Sequence, residues 1–401
     1  MNTGRTTATD QSGQRPVADA RRENAPRTDH GRATLEGTAR FAARFAPTRI
    51  ADFYRNAAGD LLVSSLGIGT YLGESDDAED ARYARALRAA IESGVNLIDT
   101  AINYRCQRSE RVVGRTMASL QAAGTVRRDE LVVCTKGGYV PLDGCVPPTR
   151  EEYNALLERE YFDRGVMRRE DVVGGGHCLA PSFLADQIAR SRANLGVATI
   201  DYYYVHNPEQ ELPVLGREAF RRRMIRAFEA LEARVEAGDI GAYGCATWNG
   251  FRVPPESRDH LSLEELVGVA REIAGDAHHF RLVQLPVNLA MSEALRAQTQ
   301  LVAGRPRTLV EAATDLAITV VASASLMQAS LARSLPSAVR DALPRFDTDA
   351  QRALAFVRGA PGVTSALVGM REPAHVRENV AIAAVEPREA TRPAASAAVP
   401  S

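Results

Sequence analysis

The sequence has almost no lysine. Lys and Arg together number 49, and only Lys136 is a lysine. It follows a β-branched apolar run, residues 131–134, and precedes a pair of glycines, which is typical of a buried parallel strand that ends in a loop. The ammonium group of lysine is compact and can lie against an acid or a phenol in a narrow site, whereas the guanidinium of arginine is a large planar fork. Lys136 is therefore a candidate functional residue, and chance survival in an arginine-biased chain is the alternative.

Long apolar runs, charge imbalance and paired cysteines are also missing. No run approaches the roughly 20 residues that a membrane helix needs, and the N-terminal residues lack the apolar core of a signal peptide. The net charge of -1 argues against nucleic acid or a polybasic membrane contact. Five cysteines without CxxC spacing indicate neither a disulfide framework nor a zinc site. We expect a soluble cytoplasmic protein without a bound metal.

The composition divides the chain into three parts. Residues 1–46 are predicted to be a disordered tail with an Ala-rich helix near residues 33–45, and residues 387–401 are predicted to be a disordered Ala/Pro/Ser tail. Residues 47–386 are expected to form one domain, which opens with a hairpin around Gly59 and Asp60.

Eight short apolar strands alternate with helices in this domain. The predicted strands are residues 65–71, 95–101, 131–136, 200–206, 241–246, 282–287, 319–324 and 364–368. Eight such units close a (β/α)8 TIM barrel. A doubly wound open sheet would instead carry GxGxxG after the first strand, and residues 66–70 are not followed by that spacing. In a barrel the active site lies at the C-terminal ends of the strands.

Four side chains that carry chemistry stand at the ends of three successive predicted strands. Asp99 and Tyr104 follow the second strand, Lys136 ends the third, and His206 ends the fourth. Each has an ordinary structural explanation by itself. Their occurrence together, with the one lysine among them, favours a catalytic site.

The ordered motifs resemble those of the aldo-keto reductase family over about residues 53–384. The matching segments are residues 67–71, residues 94–101 followed by Tyr104, residues 109–114, Thr135 with Lys136, His206, Gly369, and Glu378 with Asn379. The resemblance implies an NAD(P)H-dependent aldehyde or ketone reductase. It implies that Tyr104 is the general acid, that Lys136 and Asp99 assist it, and that His206 orients the carbonyl.

These residue types suit hydride transfer. A hydride that reaches a carbonyl carbon leaves charge on the oxygen, so a proton donor must lie within hydrogen-bond reach of that oxygen. An unperturbed phenol has a pKa of roughly 10. A nearby ammonium group is expected to lower that pKa, with Asp99 keeping Lys136 charged and in place.

The resemblance also implies NADPH as the cofactor, with NADH as the alternative. The implied cofactor-binding residues are Gly69, Thr70, Asp99, Thr247, Gln284, Ser323, Gly369, Arg371, His375, Glu378 and Asn379.

Several of these positions depart from the family pattern. Ala246 and Thr247 replace the usual Ser-Asn pair that binds the nicotinamide carboxamide, and Ser323 replaces the aromatic residue that stacks on the ring. Gly369, Met370 and His375 stand where many members clamp the 2′-phosphate, although Arg371 is close by.

Two alternatives to a reductase remain. The altered contacts leave open a non-catalytic nucleotide-binding sensor on the same barrel, and the lone lysine leaves open a lyase that forms a Schiff base at Lys136.

The loop from Tyr139 to Pro181 is far longer than the roughly 2 to 6 residues usual for such a connection. With residues 250–261, it is expected to shape the substrate pocket or to form a lid. A surface excursion or an oligomer contact is the alternative, and a metal site at His177 and Cys178 is less favoured because adjacent residues rarely chelate one ion. The carbonyl substrate and the oligomeric state stay open.

Overall fold

The computed structural model describes residues 31–385, whose centre is a closed barrel of eight parallel strands. The strands of the chain are β1 (Tyr54–Asn56), β2 (Leu62–Ser64), β3 (Leu66–Gly69), β4 (Leu97–Asp99), β5 (Val132–Gly137), β6 (Ile200–His206), β7 (Ile240–Ala246), β8 (Phe280–Pro286), β9 (Gln300–Val302), β10 (Arg305–Arg307), β11 (Thr319–Ser323) and β12 (Val363–Gly369). The barrel runs β3-β4-β5-β6-β7-β8-β11-β12 and closes where β12 pairs with β3. The predicted (β/α)8 barrel is confirmed.

Helices surround the barrel. They are α1 (Leu35–Phe45), α2 (Asp77–Glu92), α3 (Arg108–Ala122), α4 (Arg150–Leu157), α5 (Pro181–Leu195), α6 (Leu212–Leu215), α7 (Arg217–Glu236), α8 (Leu263–Ala274), α9 (Glu293–Arg296), α10 (Leu309–Asp315), α11 (Ser337–Ala342), α12 (Asp349–Gly359) and α13 (Pro373–Val380). Within residues 31–385, none of them has both the length and the apolarity to span a bilayer.

The barrel strands are buried along almost their whole length, which explains their apolar sequences. Every residue of β4, β5 and β6 is buried. Parallel strands enclosed by helices have no solvent-facing side, so alternation of polar and apolar residues is lost. The polar side chains that do occur in them are therefore either hydrogen-bonded core groups or site residues.

The predicted N-terminal hairpin is present. β1 and β2 pair in antiparallel register, and Gly59 and Asp60 turn the chain with φ of 70° and 60°. Leu61 and Val63 pack with the buried side chains inside the barrel. The hairpin thereby covers the end of the barrel opposite the strand C-termini.

Residues 31–46 of the predicted tail pack against this same end. The backbone N–H of Ala33 donates to Asp201 Oδ1 over 2.7 Å, and Arg40 on α1 binds Asp129 and Glu130 at 2.6 and 2.9 Å. The disorder expected for residues 1–30 and for the C-terminal tail lies outside the described residues. The domain boundaries stay a prediction.

The long connection after β5 is a small folded unit. It contains α4, and Val140, Leu157, Tyr161, Met167 and Phe183 form a separate small core. Short antiparallel bridges join Tyr139 and Val173 to His177. This connection therefore has a fixed position at the mouth of the barrel. The hairpin β9-β10, which the sequence pattern did not predict, lies in the connection from β8 to β11.

Candidate active site

The four residues predicted from the strand ends lie together at the C-terminal mouth of the barrel. Lys136 Nζ lies 2.6 Å from Asp99 Oδ2 and 5.0 Å from the centre of the Tyr104 ring. The rings of Tyr104 and His206 meet edge to face with their centroids 5.9 Å apart. A phenol, an ammonium group and an imidazole thus border one cleft.

Lys136 and Asp99 form a buried ion pair whose other polar atoms are also used. Lys136 Nζ donates a second hydrogen bond to the carbonyl of Thr100 at 2.9 Å, and Gln284 Nε2 donates to Asp99 Oδ1 at 2.8 Å. Burial would lower the pKa of Lys136, but Asp99 and Tyr104 outweigh it and the pKa is raised above its usual 10.5. Lys136 is held as a cation.

Tyr104 stands at the cleft with its ring between those of Tyr71 and His206. Burial raises the pKa of its hydroxyl, Lys136 lowers it, and Asp99 raises it again, so the pKa is raised overall from 10.0. The expected downward pull of the ammonium group is present. It is outweighed by burial of the hydroxyl, which is the largest of these effects.

A left-handed turn follows Tyr104. Arg105, Cys106 and Gln107 have φ of 48°, 53° and 68°, a backbone conformation that residues other than glycine rarely adopt. The Arg105 side chain, which is buried, donates to the carbonyl of Glu74 at 2.7 Å and to Asp80 Oδ1 at 2.6 Å. Strain of this kind persists only where the surroundings enforce it. Arg105 thus fixes the segment that carries Tyr104, and no signal in the sequence pointed to it.

His206 is the last residue of β6 and has an uncharged ring. Burial lowers its pKa well below 6.5, with further lowering by the charges of Lys136 and His177. Its Nδ1 is buried and has no hydrogen-bond partner among residues 31–385, so Nε2 is the ring nitrogen that reaches the cleft. A neutral ring with its proton on Nε2 can donate to an oxygen there.

The predicted cofactor residues lie along the same end of the barrel. Gly69 ends β3 and Thr70 follows it, Thr247 follows β7, Gln284 is in β8, Ser323 ends β11, and Gly369 ends β12. Arg371 precedes α13, and His375, Glu378 and Asn379 are on it. Arg371 Nη1 lies 3.3 Å from Glu79 Oε1, and His375 is exposed.

Three buried polar atoms along this arc have no partner among the described residues: Thr247 Oγ1, Ser325 Oγ and Asn379 Oδ1. Buried polar groups are nearly always paired, so unpaired ones next to a cleft point to a polar ligand. They occur after β7, after β11 and on α13, which are three places where the resemblance puts a dinucleotide. The residues present therefore fit that group. Ser325 was missed by the sequence analysis, although it lies two residues from Ser323.

The position of the stacking aromatic differs as the sequence indicated. Ser323 ends β11 and is half-buried, so no ring stands there to cover a nicotinamide. Gln284, which matches the family pattern, donates its amide N–H to Asp99. Nearby, Thr247 Oγ1 is buried without a partner in the described part of the chain.

A cavity of about 510 Å³ lies beyond the C-terminal ends of β6 and β7. Asn207, which directly follows His206, borders it together with Trp248, Asn249, Arg258 and Asp259. The predicted pocket-forming loop near residues 250–261 thus supplies part of its wall.

One carboxylate in this wall is only partly satisfied. Glu209 Oε1 accepts from the backbone N–H groups of Trp248 and Asn249 at 2.6 and 3.2 Å. Its Oε2 is buried without a partner in the described part of the chain, and burial raises the pKa of Glu209. The Trp248 ring beside it is 45% exposed and offers a flat apolar surface.

Comparison with known proteins agrees with this site. Residues 65–253 match the model of the aldo/keto reductase family. This segment spans β3 to β7 and holds all four residues of the cleft. Over this segment the chain is similar to the aldo/keto reductase family.

Individual relatives are distant. A D-threo-aldose 1-dehydrogenase from Pseudomonas sp is 31% identical over 195 residues, which are 47% of this chain and 51% of the relative. An NADH-specific methylglyoxal reductase from Escherichia coli (strain K12) is 27% identical over 197 residues, 46% of this chain and 52% of the relative. The chain spans about half the length of the curated relatives it matches.

Solved structures share the fold over a longer stretch. A glycerol dehydrogenase from Gluconobacter oxydans superimposes with a TM-score of 0.58 at 20% identity, over 83% of this chain and 90% of that one. An aldo/keto reductase from Klebsiella pneumoniae in complex with NADP and acetate gives a TM-score of 0.55 at 20% identity, with the same coverage. At this identity the likeness shows the barrel fold.

Proposed function

We propose that this protein is an NAD(P)H-dependent reductase of aldehydes or ketones. The observation that carries the proposal is the arrangement of Tyr104 above a buried, charged Lys136-Asp99 pair, beside an uncharged His206. General acid catalysis needs a donor at the cleft and a neighbour that stabilises the donor's conjugate base. Lys136 supplies that stabilisation to the phenolate of Tyr104.

Each residue has a separate role at the carbonyl oxygen. The nicotinamide, when bound, supplies the hydride to the carbonyl carbon. Tyr104 donates its phenolic proton to the oxygen as negative charge develops there. The Nε2–H of His206 donates a second hydrogen bond to the same oxygen and orients it. Asp99 keeps Lys136 charged through the 2.6 Å contact.

The cofactor is NADPH, with NADH as the alternative. Thr247 and Gln284 would hold the carboxamide, Ser325 the pyrophosphate and Asn379 the adenosine, and the unpaired buried oxygens of Thr247, Ser325 and Asn379 support this. Arg371 is near the expected 2′-phosphate position in the sequence, and its guanidinium lies 3.3 Å from Glu79 Oε1. One relative is named as NADH-specific, which is why NADH stays in the proposal.

The substrate is a small carbonyl compound that carries hydroxyl groups. The cavity beside His206 is lined by amide, carboxylate and guanidinium groups around the face of Trp248. Hydroxyl groups pair with such polar side chains, and the apolar face of a sugar-like chain packs on an indole ring. The names of two relatives, an aldose dehydrogenase and a methylglyoxal reductase, agree with a small polar aldehyde.

The alternatives differ in what they require of Lys136 and of the nucleotide. A Schiff-base lyase needs an uncharged amine, and Asp99 holds Lys136 charged with its pKa raised. A nucleotide sensor without turnover is favoured by the missing ring at Ser323. Such a sensor would bind the nucleotide but would not oxidise it.

The test uses the purified chain. NADPH and NADH fluorescence should be quenched or shifted on binding, and oxidation of the bound nucleotide should follow addition of hydroxyaldehydes such as glyceraldehyde. Binding without oxidation across a broad carbonyl panel would favour the sensor. Failure of both nucleotides to bind at millimolar concentration would overturn the proposal.

A further inference from the structure

His177, in the long connection after β5, hydrogen-bonds to the main chain at the end of the strand β6. His177 Nε2 lies 2.7 Å from the backbone carbonyl of His206, and His177 Nδ1 lies 2.8 Å from Glu211 Oε1. His177 is 3% exposed and Glu211 is fully buried. Neither ring nitrogen of His177 is left to solvent.

Both partners of this ring are hydrogen-bond acceptors. A carbonyl oxygen only accepts, so Nε2 carries a proton. Glu211 Oε2 accepts from Arg223 Nη1 at 2.9 Å, and a guanidinium neighbour favours the ionised carboxylate, which also only accepts. Nδ1 then carries a proton as well. The geometry makes His177 an imidazolium inside a buried Arg223-Glu211-His177 chain.

The connection is also fastened to both strands around this point. Cys178 N donates to the carbonyl of Gly138 at 2.7 Å, and the Tyr139 ring packs edge to face on His177 and His206 at 4.9 and 5.0 Å. A side chain at residue 138 would come within 3.0 Å of both His177 Nε2 and the His206 carbonyl, at a φ of 142°. Only glycine permits this close approach.

We propose that His177 is a positioning residue for His206: it fixes the main chain at the end of β6 and places a positive charge behind the His206 ring. The proposal rests on the proposed function, in which His206 must present an uncharged ring to the carbonyl oxygen. The groups that face His206 are Tyr104 from the loop after β4, Lys136 on β5, and Tyr139 and His177 from the connection.

The charges around His206 support the same role for His177. Burial is the largest cause of the lowered pKa of His206, and Lys136 and His177 add to it. A positive charge disfavours protonation of a neighbouring imidazole. The connection between β5 and α5 is then part of the machinery that prepares His206, and it has a role besides that of a wall or lid.

The protonation states can be read directly in the full chain labelled with ¹⁵N-histidine. Near neutral pH we expect both ring nitrogens of His177 to carry protons and His206 to be neutral with its proton on Nε2, assigned through single-site variants. This reading needs no turnover, so it stays decisive if no carbonyl substrate is accepted and the proposed function fails. A neutral His177 at pH 7 in the wild-type protein overturns the proposal.

The variant His177→Gln keeps an amide N–H for the His206 carbonyl and removes the charge. The midpoint of His206 protonation should then rise, by about one pH unit, because a neighbouring positive charge that disfavours protonation is removed. The apparent pKa of the acid limb of the kcat/KM profile should rise by the same amount.

The matched control is His260→Gln. His260 is also buried, and its Nε2 also lies 2.8 Å from a backbone carbonyl, that of Thr299. Among the described residues, its hydrogen bonds do not involve the four cleft residues. This variant should change neither the midpoint of His206 protonation nor the apparent pKa of the acid limb of kcat/KM. If His177→Gln does not fold, Glu211→Gln leaves the ring in place and removes the carboxylate that favours its charge, with the same expected shift. A His206 midpoint unchanged in the folded variant would reduce His177 to a structural tie and overturn the proposal.

Discussion

Lys136 and Asp99 form a 2.6 Å ion pair whose side chains are 1% and 6% exposed. Burying two charges costs several kcal/mol each, so such a pair is weak support for stability. The opposite end of the barrel holds a comparable buried pair, Arg128 with Asp201 at 2.8 Å, which is made with arginine. A structural pair in this chain thus uses arginine. Lysine at position 136 is better explained by the compact ammonium group that Tyr104 requires.

Tyr104→Phe should lower turnover by roughly 100-fold or more, because it removes the proton donor and keeps the ring. Nucleotide affinity, measured by fluorescence titration, should barely change. The control is Tyr71→Phe, which removes the hydroxyl of the half-exposed ring packed 5.0 Å from Tyr104. Loss of turnover in both variants, or in neither, would contradict the assignment of Tyr104 as the acid.

Lys136→Arg should be nearly as harmful to turnover as Tyr104→Phe. Arginine keeps the positive charge, but its fork does not fit between Asp99 and the Tyr104 ring. Steady-state rates with one accepted carbonyl decide the matter, with retained nucleotide binding as the check on folding. Near-wild-type turnover would show that the position needs only a cation.

Lys136→Met should cost about 3 to 5 kcal/mol of unfolding free energy at neutral pH, because the Asp99 carboxylate is left buried without its partner. The double variant with Asp99→Asn should recover much of the loss. Denaturant unfolding of the wild type, the two single variants and the double variant measures the coupling. Full additivity of the two single effects would be inconsistent with a direct ion pair.

The same pair predicts a stability change in alkaline solution. The pKa of Lys136 in the folded state is raised above 10.5, so its contribution is fully present below that pH and is lost as the pH rises through the folded value. The difference in stability between the wild type and Lys136→Met should therefore shrink above about pH 10.5. Thermal melts of both proteins between pH 8 and pH 12 test the sign. A difference that grows with pH would contradict it.

The barrel was predictable because buried parallel strands have a strong pattern. The strand β6 was predicted at its observed bounds, residues 200–206. The hairpin β9-β10 was missed because its residues 300–302 and 305–307 are short and lack apolar alternation. A pair of three-residue strands held mainly by tertiary contacts leaves little trace in a sequence.

The candidate site was only partly predictable. Tyr104 and Lys136 were identified by their positions at or just after strand ends, because the C-terminal ends of barrel strands lie together at one end of the barrel. The ties made by Arg105 and His177 depend on positive φ and on contacts between distant segments, such as residues 177 and 211. Those contacts arise from the packing of the connection after β5. Their roles, and those of the predicted cofactor residues, stay predictions.

Thr247→Val should weaken nucleotide binding by roughly 2- to 10-fold, the effect of one neutral hydrogen bond to the carboxamide. Without nucleotide the variant should be as stable as the wild type or more so, because Thr247 Oγ1 is buried without a partner in the described structure. Thr116→Val, at a similarly buried threonine on α3, is the control and should leave affinity unchanged. Unchanged affinity in Thr247→Val would remove Thr247 from the proposed cofactor site.

Glu209→Gln tests whether the cavity beside His206 selects hydroxyl-bearing substrates. Glu209 Oε1 accepts from two backbone N–H groups, and an amide oxygen can take its place, so the wall of the cavity should keep its shape. The unpaired Oε2 is replaced by an N–H₂ group, which cannot accept a hydroxyl proton.

A hydrogen bond to a charged group contributes about 1.5 to 3 kcal/mol, so kcat/KM for a polyhydroxylated aldehyde should fall by roughly 10- to 100-fold. The value for an unsubstituted aldehyde of the same length should change little, because that substrate has no hydroxyl to lose a partner. Parallel measurement of both substrates with the wild type and the variant separates specificity from general damage. An equal fall for the two aldehydes would mean that Glu209 shapes the loop at Trp248 and Asn249 and does not contact the substrate.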